Sequence, residues 1–295
     1  MRFYLILACL TCMVATAFTG YGATLQYDEI KLGALVPLTG DWASQGAVSK
    51  AGLTIAKDDV NSFLERIGAG YRINLTVKDS ETDPATALAK IKELHTLGIG
   101  LVIATTTSAE LAAVKDYVDA NGIIVIGTIS TAVSLSVPDN IIRLVPDDAN
   151  QGRAMAELLR MENMSVIVPI VRGDVWGEGL LSETGKRFEQ RGGKVVKGVV
   201  YKPGTDFSSE IGTLSSIVKD SIVRYGSDKV GVYLVSFNEA VSLMAQASTD
   251  PVLSSVRWFG SDGIANSRAL IENATAATFA SKTDLVCPVY GVLPG

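Results

Sequence analysis

Histidine occurs once in the 295 residues of this chain, at His95. The residue lies on a helical stretch whose apolar face includes Leu88, Ile91 and Leu94, which reads as a boundary or core position. Ser-His-Asp and Cys-His catalysis are thereby left without a base, and no His/Cys metal set can be assembled. Cysteine is nearly as scarce: of three, Cys9 and Cys12 fall in the first dozen residues, so the mature protein has no disulfide framework. Basic clusters are missing and the formal net charge is −5, which argues against nucleic acid as a partner. Nucleotide-binding glycine motifs are missing as well. Leu35-Val36-Pro37-Leu38-Thr39-Gly40 stands where a dinucleotide enzyme would carry G-x-G-x-x-G. In GLLSETGK, residues 179–186, five residues separate the glycines and Arg187 replaces the Ser or Thr of a phosphate loop. No cofactor or metal is expected. The spacing of Asp174, Glu178 and Asp262 specifies no reaction, and the chain is not read as an enzyme.

The apolar N-terminal run, residues 3–18, falls short of the ~20 residues needed to span a bilayer. It follows Met1-Arg2 and leads into small residues including Ala15-Thr16-Ala17, the pattern of a secretory leader, taken as residues 1–23. Cys9 and Cys12 raise a lipoprotein alternative, but neither has a convincing lipobox. The expected location is therefore extracytoplasmic: secreted, periplasmic or at the cell surface. Three glycosylation triplets, starting at Asn74, Asn163 and Asn273, would suit an exported protein and also arise by chance.

A chain that is 47% hydrophobic and 19% charged can bury a large core, and at this length two domains are expected. From Ile30 onward short β-rich runs alternate with longer helical ones. The β runs are 30–36, 71–77, 100–104 and 122–126, separated by helical stretches over 85–97 and 109–120. A further helical stretch after the first run carries Val48, Ala51, Ile55, Ala56, Val60, Phe63 and Ile67 at spacings of three or four, one apolar stripe. After 141–145 and Pro146-Asp147-Asp148 the rhythm restarts, with a helix over 150–161 and β runs at 166–171, 194–201, 229–235 and 256–259. Helical stretches lie between these at 179–190, 207–225 and 239–247. Strand-helix-strand repetition implies right-handed crossovers and parallel sheets covered on both faces. The fold class is α/β, with two Rossmann-like lobes joined by a hinge: residues 24–147 form lobe I and 148–281 form lobe II.

Open α/β sheets bind ligands at the carboxyl ends of their strands. In lobe I the run 100–104 leads into Thr105-Thr106-Thr107-Ser108-Ala109-Glu110, and 122–126 leads into Gly127-Thr128-Ile129-Ser130-Thr131. Hydroxyls and free N–H groups at a helix start suit a carboxylate or phosphate. Ser108 and Thr131 would equally serve as ordinary N-caps. In lobe II, Trp176 is placed on a glycine-flanked loop, Phe237 follows 229–235, and Asp262 sits in "WFGSDGIAN" between Ser261 and Gly263. Two aromatics and an acid on neighbouring strand ends make an apolar pocket with one negative charge. Alternatively, Trp176 packs under its own loop and Asp262 caps the next helix.

"IKLGALVPLTGDWASQG", residues 30–46, followed by an alanine-rich helix, resembles the opening of type I periplasmic binding proteins. The specific likeness is to the branched-chain amino-acid-binding receptors of ABC transporters. "DSETDPATALAKIKEL", "STAVSLS", "VWGEGL", "YKPGTDFSSEI" and "WFGSDGIAN" continue the match in family order to about Ala280. No helix-turn-helix precedes Ile30, which tells against the repressors that share this fold. The resemblance implies a solute receptor that captures an amino acid, branched-chain or similar, by hinge closure. Its partners would be a small-molecule ligand and ABC transporter permease subunits, and it would act as a monomer. Carried over by position, the α-carboxylate contacts fall on Ser108 and Thr131, beside Ser130, and the acid for the α-ammonium falls on Asp262. Lobe II aromatics fall on Trp176 and Phe237, where tyrosine is common. Trp42 lies near the family's lobe I aromatic position, which here is Gln45. The resemblance also implies that residues 282–295 return to lobe I and that the fold is C-terminally incomplete. Other ligands fitting the same fold are a short amide, urea or an aromatic acid, and a ligand-sensing domain of a signalling system is the rival role.

Overall fold

The computed structural model describes residues 27–289; the expected leader, residues 1–23, lies outside them. Ten strands among the described residues form two all-parallel sheets. The first is built from β1 (Asp28–Val36), β2 (Tyr71–Asp79), β3 (Leu101–Ala104), β4 (Ile124–Gly127) and β5 (Ile141–Arg143) in the order β2-β1-β3-β4-β5. The second is built from β6 (Val166–Arg172), β7 (Lys194–Val195), β8 (Val199–Tyr201), β9 (Val230–Val235) and β10 (Arg257–Gly260). Its order is β10-β9-β6-β7, with β8 also on β6.

Every residue of VIVPIVR in β6 and of VGVYLV in β9 is buried, because a central parallel strand has helices on both faces and no solvent side. The β run expected at 194–201 is divided in two. Pro169 of β6 has no N–H to offer the ladder, and the partner strand breaks beside it, where Gly198 approaches so closely that a Cβ would meet the Pro169 carbonyl at 1.9 Å.

The helices on the first sheet are α1 (Ala43–Arg66), α2 (Pro84–Thr96) and α3 (Ser108–Ala120). Those of the second half are α4 (Asp148–Met161), α5 (Val175–Glu189), α6 (Ser208–Tyr225), α7 (Ala240–Ala247), α8 (Arg268–Glu272) and α9 (Ala274–Lys282). His95 bonds the Tyr117 hydroxyl at 2.8 Å, tying α2 to α3. Among the described residues nothing covers the apolar stripe of α1 and its C-cap residue: Val48 is 66% exposed, Ile55 63%, Phe63 51% and Ile67 59%, and Gly46 is the helix's sole buried residue.

The segment after 282, expected back at lobe I, first runs along the second sheet. Trp258 donates to the Thr283 carbonyl, Gly260 donates to Val286, and Val286 bridges Phe259. Leu285 and Cys287 hold it there by packing on the core around Trp258 and Phe279.

Candidate functional site

In each sheet the strand order reverses once, between β1 and β3 in the first and between β6 and β9 in the second. Connections leave such a reversal in opposite directions and open a crevice at the strand C-terminal ends. The two crevices face one another. Together they bound a cleft of about 640 Å³, lined from the first half by Trp42, Gln45, Thr107, Ser108, Thr128, Ile129, Ser130, Thr131, Val145 and Pro146. From the other side it is lined by Trp176, Phe237, Asp262, Gly263, Ala265, Asn266 and Val289. That volume suits a small molecule. All seven candidate residues, Trp42, Ser108, Ser130, Thr131, Trp176, Phe237 and Asp262, lie on this one cleft.

The hydroxyl side is ordered by α3. Its N-cap is Thr107, not Ser108: Thr107 Oγ1 accepts from the Glu110 N–H while Glu110 accepts from the Thr107 N–H, a capping box. Ser108 is thereby released from capping. Its Oγ accepts from Ser130 Oγ at 2.9 Å and from the Ala132 N–H at 3.2 Å, which joins the loops after β3 and β4. Thr131 caps nothing either, since the short 3-10 turn Val133–Leu135 has Ala132 at its N-cap. Ser108, Ser130 and Thr131 therefore bring hydroxyls free of capping to the cleft beside a helix N-terminus, a favourable seat for an anion.

On the opposite wall Trp176 is in the first turn of α5 rather than on a loop, because Asp174 caps that helix through the Trp176 and Gly177 N–H groups. Trp176 stacks on Phe237 with centroids 4.4 Å apart, and Phe237 stacks in turn on Trp42 at 4.9 Å. Gly263 makes room for this stack, since a Cβ there would stand 2.9 Å from both Phe237 and Trp176. Asn238 Nδ2 donates to the Asp41 carbonyl and to Ser44 Oγ, and Arg172 reaches Asp41 at 3.4 Å, so the two halves also meet at the rim. Arg172 is itself fixed by Asp174 at 2.6 Å and Glu239 at 2.9 Å. Asp174 is occupied in this way, and Glu178 is exposed outside the cleft.

Asp262 caps no helix. The following helix α8 is capped by Ser267, and Asp262 Oδ1 is buried without a hydrogen-bond partner. Burial raises its pKa, opposed by the nearby Gln151 amide and by the N–H groups of Gly263 and Asp262 itself. Asp148 and Gln151, which sequence reasoning passed over as a polar linker and a helix start, lie behind it. Burial pushes the Asp148 carboxyl up to about 7, with Thr131 opposing and the Asp262 charge adding. Their one sequence signal is a polar pair at i and i+3 at the start of an otherwise amphipathic helix. Among the described residues no group of three or more His, Cys, Asp or Glu could hold a metal ion.

The sequence model of the family described as "Periplasmic binding protein" matches residues 29–249. The chain belongs to that family. It is a type I periplasmic binding protein of the branched-chain amino-acid-binding group, and the family is one of extracytoplasmic solute receptors. An uncharacterised protein of Methanocaldococcus jannaschii is 30% identical over 84% of this chain and 60% of its own length. Leu/Ile/Val-binding protein homolog 3 of Brucella melitensis is 25% identical over 90% of this chain and 73% of its own length. The periplasmic binding protein described here thus spans about 60–73% of the length of these relatives. Among solved structures, a leucine-binding protein from Thermotoga maritima superposes with a TM-score of 0.71 at 18% identity, covering 84% of this chain and 67% of that one. A solute-binding protein from R. palustris in complex with benzoate gives 0.65 at 19% identity, covering 87% and 74%. No helix among the described residues is long and apolar enough to cross a membrane.

Proposed function

We propose that this periplasmic binding protein is the extracytoplasmic receptor of an ABC importer and captures a small α-amino acid in the cleft by closure of its two lobes, residues 24–147 and 148–281. The observation that carries this reading is the pairing of opposite poles in one cleft. Ser108, Ser130 and Thr131 line one side at a helix N-terminus, and the partnerless carboxylate oxygen of Asp262 stands on the other. An α-carboxylate seated on the hydroxyls leaves the α-ammonium to pair with Asp262. The resulting charge-assisted hydrogen bond satisfies an oxygen that is otherwise buried unpaired. Trp42, Trp176 and Phe237 form the apolar wall for the side chain. Phe237 offers no phenol oxygen, so the wall reads shape and hydrophobicity. The protein acts as a monomer and hands its ligand to the permease subunits. Names of relatives that bind leucine, isoleucine and valine support the ligand class.

Isothermal titration of the purified protein against a panel of amino acids tests the reading: heat with at least one aliphatic amino acid is expected, and none with any α-amino acid would end it. A second reading, an aromatic acid, is favoured by the three stacked rings and by the benzoate-bound neighbour. It is disfavoured by Asp262, which a plain carboxylic acid leaves unpaired. Benzoate belongs in the same titration.

A further inference from the structure

Behind the cleft, three neighbouring side chains hold five buried polar atoms that make no hydrogen bond of normal geometry: both oxygens of Asp148, both amide atoms of Gln151, and Oδ1 of Asp262, with the Thr131 hydroxyl near Asp148 and the Gln151 amide near Asp262. Such atoms are nearly always paired in a folded protein, and leaving them unpaired is costly. Asp148 is fully buried and Gln151 is 4% exposed. They stand one turn apart on α4, on one face of the helix. The Asp148 N–H donates to the Thr131 carbonyl at 2.9 Å, which sets this acid directly behind a residue that lines the cleft. The helix has no room to retreat, because a Cβ on Gly152 would meet Glu183 and Thr184 of α5 at 2.9 Å.

The groups facing Asp148 come from every side: Asp147 and Gln151 on its own helix turn, Thr131 after β4, Arg143 on β5, Tyr233 on β9 and Asp262 after β10. Arg143 is the cation in this set, and its guanidinium is turned to the Ala132 carbonyl and to Ser136 Oγ. Tyr233 is bonded to Thr184. Two buried carboxyls with no cation between them cannot both ionise freely.

We propose that Asp148 is the second carboxyl of a two-acid seat for the ligand's cation, holding the one proton of the pair while Asp262 carries the negative charge before capture, and that a ligand ammonium held by Asp262 drives that proton from Asp148 to solvent. The proposal rests on the amino-acid reading of the cleft. Asp148 is a positioning residue in it: the ammonium touches Asp262, and Asp148 acts through that neighbour. The proton is lost from the Asp148 carboxyl, the ligand keeps its own, and two carboxylates then face one cation. Burial holds the Asp148 carboxyl at about 7 without that cation, so the exchange falls in the neutral range.

Calorimetric titration with L-leucine and L-alanine, in buffers of differing ionisation enthalpy, counts the proton. At pH 6 up to about one proton is released per ligand, and affinity rises roughly tenfold between pH 6 and pH 8, as a carboxyl near 7 requires. Asp148→Asn is expected to bind with no buffer dependence and a flat pH profile. Should that variant fail to fold, infrared difference spectra of the unaltered protein read the same event as loss of a protonated-carboxyl band on adding L-leucine. Heat that is independent of buffer, with flat affinity, would overturn the proton exchange and leave the receptor reading intact. Buffer dependence that persists in Asp148→Asn would overturn the assignment to this residue. No heat with any amino acid would overturn the receptor reading and this proposal with it.

Discussion

The first sheet and the second are built by the same alternation of strand and helix, yet they are clothed differently. Around β6 and β9 the second half packs Trp258, Tyr233, Phe259 and Phe279 in a core closed on both faces. The first half has its core on the α2 and α3 side, while α1 carries Val48, Ile55, Phe63 and Ile67 in water. The chemistry divides along nearly the same line: hydroxyls, a helix N-terminus and the Trp42 indole on the first half, two rings and the acids on the second. The difference teaches that the loops after β3 and β4 depend on α3 and its capping box and not on the exposed stripe of α1, which gives the cleft only Trp42 and Gln45 from its N-cap and first turn.

The contrast predicts unequal costs. Trp258→Ala, in the closed core, is expected to cost about 3–5 kcal/mol by chemical denaturation, since it opens a large cavity with little chance of collapse. A cost under 1 kcal/mol would mean that the second half is no better packed than the first. Next in size is the pH dependence of stability. Asp148 has its folded pKa raised from 3.8 to about 7, so below 3.8 the group is neutral folded or unfolded and contributes nothing. As pH climbs through the interval the folded state holds the extra proton, and stability falls by a few kcal/mol until about 7, where the loss levels off. Asp148→Asn should flatten that slope in melts from pH 4 to 8. Asp262→Asn keeps the shape and removes the charge. It should weaken amino-acid binding by about 2 kcal/mol or more by titration; unchanged affinity would move the ammonium seat elsewhere. Smallest is Phe63→Ser on the bare stripe of α1, expected within about 0.5 kcal/mol of the parent. A loss comparable to that of Trp258→Ala would show that the stripe is covered in solution.

Strands were legible because a buried parallel strand must be apolar throughout, and VIVPIVR or VGVYLV fits little else. Legible too were the residues at strand ends, since a parallel sheet fixes where its loops gather. Three features escaped. Trp176 is helical because Asp174 caps two N–H groups at once, a local bond that the glycines around it obscured. The stripe on α1 has helical spacing, but spacing says only that a face is apolar and not that something covers it. Asp148 and Gln151 look like a solvated helix start, and only the arrival of Asp262 from more than a hundred positions away turns them into a buried cluster.

The ring of Phe237 stacks with two indoles, one brought by each half of the molecule. In the proposed opening, parting the halves would bare the Trp42 indole and leave Trp176 seated, while Trp258 stays sealed in its core. Intrinsic tryptophan emission would thus register the proposed opening without any attached dye.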